Sequence, residues 1–418
     1  MSLELLLGVS LLYAALLFSI AWLGDRRPTV GARPWTFSLA LGVYCSSWTF
    51  YGAVGRASSS GMDFSAIYIG PILMFVFGLP LLQRLVAVTK RNSLTSIADF
   101  FGARYGNNQR LASLVAVMLT FAVLPYLALQ LQAISLAIQT IGGAGTDAGR
   151  AVLLADILLI VFTMLFGTRH LTSLESHRGL LRAIAFESIV KLVAFTTVSV
   201  FVVFTVFAGD IPEVTQRSAQ TLTQWAASAD PLNFVVQCGL SALAIICLPR
   251  QFHVMCVENT SPSELRRART VFPIYLGLFT VLVLPISLAG PPVFGSTGPS
   301  PDTYVLGLPL ALDAPAITAL AFIGGISAAS AMVVMTALAL STMLSNEVLM
   351  PLGLRTRWTR LAGPALQARV LWTRRLCIIA LLLGALAVHA GLIAAGPLAD
   401  TGLLAFAAVA QLAPGLIG

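Results

Sequence analysis

Eleven long apolar runs constrain the fold of this chain more than any other feature. Each approaches the roughly 20 residues that an α-helix needs to cross about 30 Å of hydrocarbon. A bilayer leaves no water for unpaired backbone groups, so repeated runs of this length are accommodated as helices. The sequence therefore predicts an all-α membrane protein with about eleven transmembrane helices. The runs lie at 3–24, 35–55, 64–83, 112–140, 151–166, 183–207, 232–255, 271–290, 315–344, 376–395 and 401–417.

The distribution of basic residues predicts how these helices are oriented. The 418-residue chain is 57% hydrophobic and only 10% charged, with a net charge of +8, whereas soluble domains carry about 25% charged residues. If the first terminus lies outside and the spans alternate, the inside connections hold 20 of the 25 Lys and Arg. Outside connections then hold only Arg56, Arg150 and Arg217. This asymmetry is typical of the positive-inside rule and argues against a nucleic-acid partner.

The sequence contains no pattern typical of an enzyme. Its five cysteines lie in or at the ends of apolar runs, form no CxxC pair and predict neither disulfides nor a zinc site. We find no nucleophile arrangement, phosphate-binding loop, phosphoacceptor histidine box or ATP-binding glycine box. We therefore expect no enzymatic activity from this chain.

The stretch LALGVYCSSWTFYGAVG (39–55) is unusual for a transmembrane run because small and hydroxyl residues interrupt it. Transporters place broken helices at the membrane midplane, in matching positions of inverted repeats. Gly42 and Gly52 lower the cost of unwinding, and Ser46 and Ser47 can satisfy freed amides or a ligand. The alternative is close helix packing, which small residues also favour.

Two further runs carry polar residues. In QCGLSALAIICLPRQFHV (237–254), Pro249 predicts a kink, and Arg250 either marks a site or extends towards the lipid phosphates. In FIGGISAASAMVVMTALALSTMLSN (322–346), Ser327 and Ser330 lie on one side of the helix. Their hydroxyls suit a hard cation, although each can also bond its own helix.

Several motifs occur in the order of a known family: VYCSSWTFYG, SLTSIADFFGARYG, LPRQFHV, SELRRAR and GGISAAS. From about residue 5 to the end, the chain resembles the sodium/solute symporter family. More narrowly, it resembles the transporter-like membrane part of CbrA-type bacterial sensor histidine kinases. The resemblance implies a LeuT-like core of two inverted five-helix repeats in a bacterial inner membrane, with the N-terminus outside.

The resemblance also predicts a domain organisation for the chain. It implies thirteen spans, so the last helix here would be cut short and two more would follow Gly418. The predicted parts are a leading helix (1–34), a first repeat (35–207), an outer loop (208–231) and a second repeat (232–418).

The resemblance assigns a cation site to particular residues. The predicted ligands of the cation are the backbone carbonyls of Gly42 and Cys45, together with Ser327 and Ser330. One hydroxyl is missing, because Ala331 stands beside Ser330, and Tyr44 stands where proline-type members carry an aspartate. We expect these departures to weaken Na⁺ binding by more than about 1 kcal/mol, since ligand number and charge hold a hard cation.

An intramembrane acid offers another route for ion coupling. Glu187 precedes Lys191 by four residues in AIAFESIVKLVAF, the favourable order for a pair on one helix face. Intramembrane carboxylates often serve proton relays. One hypothesis is that Glu187 carries H⁺ as the coupling ion; the alternative is a buried ion pair that fixes packing. The coupling ion is thus Na⁺ or H⁺, and we expect no other cofactor or metal.

Two functions are consistent with these residues. The first is an ion-coupled secondary transporter that imports a small polar solute, with an amino acid, and histidine first, as the implied substrate. Ser46, Ser47, Trp48 and Tyr51 would contact it. The second is a ligand-sensing module that passes a conformational change to a cytoplasmic kinase region beyond residue 418 and hence to a response regulator.

Overall fold

The structure is a computed structural model that describes residues 3–26, 31–143, 146–167, 178–208, 212–227, 230–295, 298–354, 364–393 and 398–417. Within these ranges the ordered elements are all helical. Eight described helices are long and apolar enough to cross a membrane, or nine if one bent pair is counted as a span. This confirms an all-helical, multi-pass membrane protein. The count of eleven spans stays a prediction.

The helices follow one another along the chain with short breaks. The first ten are α1 (Leu3–Arg26), α2 (Pro34–Ala40), α3 (Ala53–Ser60), α4 (Ala66–Phe77), α5 (Leu79–Arg91), α6 (Ile97–Arg104), α7 (Gln109–Gly142), α8 (Thr146–Gly167), α9 (Arg178–Val202) and α10 (Pro212–Ala227). The others are α11 (Pro231–Cys247), α12 (Pro249–Phe252), α13 (Pro262–Phe294), α14 (Tyr304–Ala311), α15 (Pro315–Met343), α16 (Met350–Leu354), α17 (Pro364–Val388), α18 (Leu398–Ala410) and α19 (Ala413–Ile417).

Several helix ends follow directly from local chemistry. The Ser96 hydroxyl accepts a hydrogen bond from the backbone N–H of Asp99 (3.0 Å), and the Asp99 carboxylate accepts one from the backbone N–H of Thr95 (2.9 Å), which fixes the start of α6. Asn108 and Asp230 cap α7 and α11 in the same way.

Helix α15 lies at the centre of the molecule. It packs against α9, α7, α17 and α8, and most of its side chains are buried. Gly324 and Gly325 allow this packing, because a Cβ on Gly325 would lie 1.8 Å from the Tyr51 hydroxyl and one on Gly324 would lie 2.7 Å from the Phe50 ring. The small residues of this run therefore serve close helix approach.

Some predicted runs are interrupted. The run 64–83 is divided at Gly78 between α4 and α5, and the run 401–417 is divided at Gln411–Leu412 between α18 and α19. The segment 208–231, predicted as a loop, contains α10. That helix starts at Pro212, and its Trp225 lies against Gly61, so tertiary packing supports a helix that its polar composition did not indicate.

Candidate functional site

The chain loses its helical winding at the twin serines. Helix α2 ends at Ala40, a 3₁₀ turn covers Leu41–Tyr44, and Cys45 is extended (φ −76°, ψ 96°). A π-helical turn, Trp48–Gly52, then leads into α3. The predicted break is therefore present. We call Gly42–Ser47 the unwound segment: the 3₁₀ turn and the extended Cys45 interrupt the α-helical ladder, and helical dihedral angles return at Ser47 (φ −58°, ψ −26°).

A lysine ammonium group occupies the carbonyls that the resemblance assigned to a cation. The Nζ atom of Lys191 donates to the carbonyl oxygens of Gly42 and Cys45, at 2.6 Å each. The Lys191 side chain has no exposed surface. A Cβ on Gly42 would lie 2.7 Å from the Ser188 hydroxyl, so the helix that carries Lys191 packs directly on this turn. The two carbonyls thus already bind a positive charge from the chain itself.

The two serines predicted to complete a cation site have other partners. The Ser330 hydroxyl lies within hydrogen-bond distance of a carboxylate oxygen of Glu187 (2.5 Å) and of the Ile326 carbonyl (2.9 Å), and its single proton can be donated to either acceptor. The Ser327 hydroxyl donates to the backbone carbonyl of Glu187 (2.9 Å). Ser327 and Ser330 thus donate towards α9 and their own helix, while the Gly42 and Cys45 carbonyls bind Lys191, so a Na⁺ ion here would have to share those carbonyls with an ammonium group.

Glu187 and Lys191 do not pair with each other as the sequence suggested. Although they lie one turn apart on α9, Lys191 reaches the unwound segment and Glu187 reaches α15. Both side chains are buried, so their charges still interact at this separation. Helix α9 thereby connects the unwound segment to the central helix through two opposite charges.

The leading helix contributes a residue that sequence reasoning missed. The Tyr13 hydroxyl of α1 donates to the Ser327 hydroxyl at 2.9 Å, and Tyr13 is only 7% exposed. A tyrosine in an apolar run usually finds a partner for its hydroxyl when buried, which was the available signal. The chain Tyr13–Ser327–Glu187 joins α1, α15 and α9.

Helix α7 holds the unwound segment from the other side. The Ser46 and Tyr126 hydroxyls share a 2.7 Å hydrogen bond, and the Ser47 backbone N–H donates to the Gln130 side-chain oxygen at 3.1 Å. The Ser47 hydroxyl is buried without a partner in the described part of the chain. Tyr126 and Gln130 were not singled out from the sequence, although their spacing of four residues places them on one helix face.

The remaining predicted solute contacts point towards different helices. Trp48 packs against Tyr68 (ring centroids 6.2 Å apart) and against Gly402 of α18. The Tyr51 hydroxyl faces Gly325 of α15. Tyr51 therefore does not share the wall that Ser46 and Ser47 form with α7. A role for these four residues in binding a solute stays a prediction.

Arg250 lies inside the protein rather than at its lipid-facing edge. Helix α11 ends at Cys247, Leu248 is extended, and α12 starts at Pro249, so the chain bends by 56° as Pro249 predicted. Arg250 has no exposed surface, and its guanidinium carbon lies 4.7 Å from the centre of the Tyr126 ring. An extension to the lipid phosphates is excluded by this burial.

The two breaks are joined directly. The Gln251 side chain donates from Nε2 to the Leu41 carbonyl at 3.1 Å, which connects α12 to the end of the first broken helix. Beside this contact the Tyr44 hydroxyl donates to the Ile67 carbonyl (2.7 Å), and the Tyr44 ring meets Phe406 and Phe272 edge-on. Tyr44 therefore acts as a neutral packing residue.

A second polar cluster lies where α3, the 3₁₀ turn Pro301–Thr303 and the start of α18 meet. The Asp302 carboxylate accepts a hydrogen bond from the Leu398 backbone N–H at 3.2 Å and lies against Gly55, where an added Cβ would be 1.8 Å from it. Burial raises the pKa of Asp302 to about 6. Nearby, Arg56 and Asp400 form a 3.5 Å ion pair. These contacts tie the end of the first broken helix to the start of α18.

Comparison with known proteins relates the chain to symporters. No family model matches it. It is 30% identical over 151 residues to the uncharacterized symporter YodF of Bacillus subtilis (strain 168), which is 35% of this chain and 29% of that protein. It is 28% identical over 143 residues to the uncharacterized symporter YhjB of the same organism, again 29% of the relative. The chain thus matches less than a third of the length of these relatives.

Solved structures of transporters share the fold. A Na⁺-coupled sialic acid symporter in a substrate-bound, outward-open state superimposes with a TM-score of 0.68 at 16% identity, over 96% of this chain and 85% of that one. A manganese transporter of Eremococcus coleocola gives 0.52 at 13% identity, over 91% and 76% of the chains. The chain therefore has the fold of these secondary transporters. Among the described residues no cluster of three His, Cys, Asp or Glu is arranged to hold a metal ion.

Proposed function

We propose that the protein is a secondary transporter that moves a small polar solute by alternating access. Two broken helices meet at its centre, which is how transporters of this kind build a midplane site. The partial similarity to symporters supports the same class. The observation that carries the proposal is the unwound segment itself, whose Gly42 and Cys45 carbonyls bind the ammonium group of Lys191.

The proposal includes the predicted topology. The proposed eleven spans are reached from the nine if α8 is added and the counted stretch Trp48–Phe77 is divided into a broken helix over 35–60 and a separate span that begins with α4, with the N-terminus outside. The breaks at 45–47 and 248 then fall in the first helix of each proposed repeat, 35–207 and 232–418. Such matching breaks are what inverted repeats produce. A bacterial inner membrane and further spans after Gly418 belong to the same proposal.

We further propose that Lys191 replaces the coupling Na⁺. A Na⁺ ion would need the oxygens that Lys191 already binds, and placing both cations there would bring like charges together in a region of low dielectric constant. The ammonium group is fixed to α9, so it cannot be released with the solute. Conformational change would then depend on proton binding rather than on sodium.

Glu187 is the group that we propose binds the proton. A proton taken from water on one side would neutralise the carboxylate, weaken its hydrogen bond from Ser330 and loosen α9 from α15. Loss of that proton to water on the other side would restore the contact. Three other charged or titratable groups interact with Glu187 or Lys191: Tyr13 on α1, Cys45 in the unwound segment and Arg250 on α12.

The substrate class and the sensor alternative both come from the resemblance. An amino acid, with histidine first, is the solute that we propose to test. The sensing alternative, with a kinase region and a response regulator, has no observation among the described residues that favours it over transport. We therefore propose transport, and no enzymatic step, for this chain.

Uptake by proteoliposomes tests the proposal. The purified chain would be reconstituted with an inward proton gradient and no sodium, and uptake of radiolabelled L-histidine and the other amino acids would be measured. A matched experiment would impose a sodium gradient at equal pH on both sides. We expect uptake to follow the proton gradient and Glu187→Gln to abolish this dependence.

Three outcomes separate the parts of the proposal. Uptake driven by sodium alone would overturn the replacement of Na⁺ by Lys191. Proton-driven uptake that Glu187→Gln leaves unchanged would overturn the role of Glu187. Specific binding without uptake under any gradient would overturn transport and favour the sensing alternative.

A further inference from the structure

A buried arginine without a counterion lies between the two broken helices. Arg250 has no exposed surface, and none of its three guanidinium nitrogens has a hydrogen-bond partner in the part of the chain that the structure describes. Such groups are rare, because buried polar atoms are nearly always hydrogen-bonded. Arg250 contacts Tyr126: its guanidinium carbon lies 4.7 Å from the centre of the ring, and the Tyr126 hydroxyl is near enough to interact with the guanidinium without forming a well-aligned hydrogen bond.

The ring does not occupy the donors of the guanidinium. A cation–π contact uses the flat face of the group, whereas its five N–H bonds point outward in the plane. Arg250 can therefore remain on Tyr126 and still present a fork of donors to a planar anion. Carboxylates match this fork with two parallel hydrogen bonds.

The surroundings add positive charge. Lys191 lies close enough to Arg250 for the two charges to repel. The nearby carboxylate, Glu187, is bound by Ser330 and by its interaction with Lys191. The centre of the molecule thus holds two basic side chains, Lys191 and Arg250, and one carboxyl group, Glu187, which is hydrogen-bonded to Ser330 at the other end of the cluster. A negative ligand would restore the balance.

Other polar atoms beside Arg250 are also without partners. The Gln251 side chain uses its nitrogen to bind Leu41, but its oxygen has no partner among the described residues. The Ser47 hydroxyl also has no partner among the described residues, and it follows Ser46, whose hydroxyl bonds the hydroxyl of the Tyr126 side chain that contacts Arg250. The unpaired Gln251 oxygen and Ser47 hydroxyl, together with the Arg250 guanidinium, suit a solute that has hydrogen-bond donors as well as a negatively charged group.

We propose that Arg250 binds the carboxylate group of the transported solute. The proposal rests on the function proposed above and specifies the substrate class: small carboxylates, including amino acids, rather than neutral polar solutes. Arg250 follows Pro249, the first residue of α12, directly after the bend, so binding at Arg250 would act on the second broken helix at its break. A bound carboxylate would offset the cost of burying the unpaired charge of Arg250.

Matched pairs of acids and amides test the proposal. The melting temperature of the purified full chain would be measured with propionate against propionamide, and with each L-amino acid against its amide, at fixed chloride and pH. We expect one or more acids to stabilise the protein and their amides to have no effect. In Arg250→Gln the apparent affinity for the stabilising acid should fall by about thirtyfold or more, because the anion would lose its charged partner.

A control variant and a second measurement distinguish the loss of a carboxylate site from a general loss of folding. Arg267→Gln removes a guanidinium that also lies over an aromatic ring, Trp35 at 4.6 Å, but at the surface, and should leave acid binding unchanged. Without ligand, Arg250→Met should melt at a higher temperature than the wild type, since it removes an uncompensated buried charge. A lower melting temperature would show that Arg250 has a structural counterion and would overturn the proposal.

The remaining outcomes distinguish this inference from the proposed function. Equal stabilisation by acids and amides, no acid-dependent stabilisation in any pair, or acid binding unaffected by Arg250→Gln would overturn the inference and leave transport intact. Arg250-dependent acid binding without uptake in proteoliposomes would support the carboxylate site and overturn transport.

Discussion

The ammonium nitrogen of Lys191 and the carbonyl oxygen of Gly42 lie 2.6 Å apart, although 149 residues separate them in the chain. The same nitrogen binds the Cys45 carbonyl at 2.6 Å. One side chain of α9 thereby satisfies two carbonyls that the break in the first core helix exposes. The break is stable because its freed groups have an internal partner.

Removing this side chain should destabilise the protein and create a sodium response. Lys191→Ala removes the ammonium donor from two buried carbonyls and leaves the Gly42 carbonyl with only the Cys45 backbone N–H, 3.0 Å away. An unsatisfied buried carbonyl costs about 1–3 kcal/mol, so we expect a clearly lower melting temperature in choline chloride. Replacing choline by sodium should recover part of this loss in the variant and change nothing in the wild type. Lys90→Ala is the control, because Lys90 also donates to a carbonyl, that of Val257, but at an exposed position. A variant as stable as the wild type would contradict the role of Lys191.

Gly42 should tolerate no side chain. A Cβ at this position would lie 2.7 Å from the Ser188 hydroxyl and 3.1 Å from the Tyr275 ring. Gly42→Ala must therefore push α9 and α13 apart, at a cost of about 1–3 kcal/mol. In Gly239→Ala on α11, the new Cβ meets nothing within 4 Å, so its melting temperature should stay close to that of the wild type. Equal effects of the two substitutions would show that the Gly42 turn is not tightly packed.

The leading helix should be coupled energetically to the central cluster. The Tyr13 hydroxyl donates to Ser327, which donates to the Glu187 carbonyl. We expect Tyr13→Phe and Ser327→Ala each to cost about 0.5–1.5 kcal/mol, and the double variant to cost less than their sum, because the second change removes a bond already lost. Melting temperatures of the four proteins complete the cycle. Strict additivity would exclude the contact.

The stability contribution of Asp302 should depend on pH. Burial raises its pKa to about 6, whereas an unfolded aspartate titrates near pH 3.9. Below about pH 4 the carboxyl is neutral in both states and carries no penalty. Between about pH 4 and 6 only the unfolded chain ionises, so the folded state loses up to about 3 kcal/mol as pH rises, and the loss then levels off.

Asp302→Asn removes that titration. The variant and the wild type should therefore have similar melting temperatures near pH 4, and the variant should become relatively more stable up to about pH 6.5. The variant keeps a side-chain oxygen for the Leu398 backbone N–H, so the comparison isolates the charge. A difference that does not change with pH would contradict the raised pKa.

The breaks in the helices were predictable because their causes are local. Gly42 and Pro249 weaken a helix through their own backbone, and the hydroxyls of the twin serines compete locally for backbone hydrogen bonds. The apolar runs were equally readable, since the thickness of a bilayer sets their length. Helix α10 was not predicted, because its sequence is polar and contains no long apolar run. Its Trp225 packs against Gly61, a tertiary contact that the sequence does not indicate.

The sequence by itself determined that the chain crosses a membrane many times as helices and that two of those helices are broken. Only the tertiary structure decided that Lys191 binds the unwound segment, that Tyr13 reaches Ser327 and that Arg250 lies unpaired over Tyr126. The physical reason is that helical periodicity shows which residues share a face of one helix, but not which distant helix that face meets. Partners 80 to 314 residues apart in the chain are selected by packing.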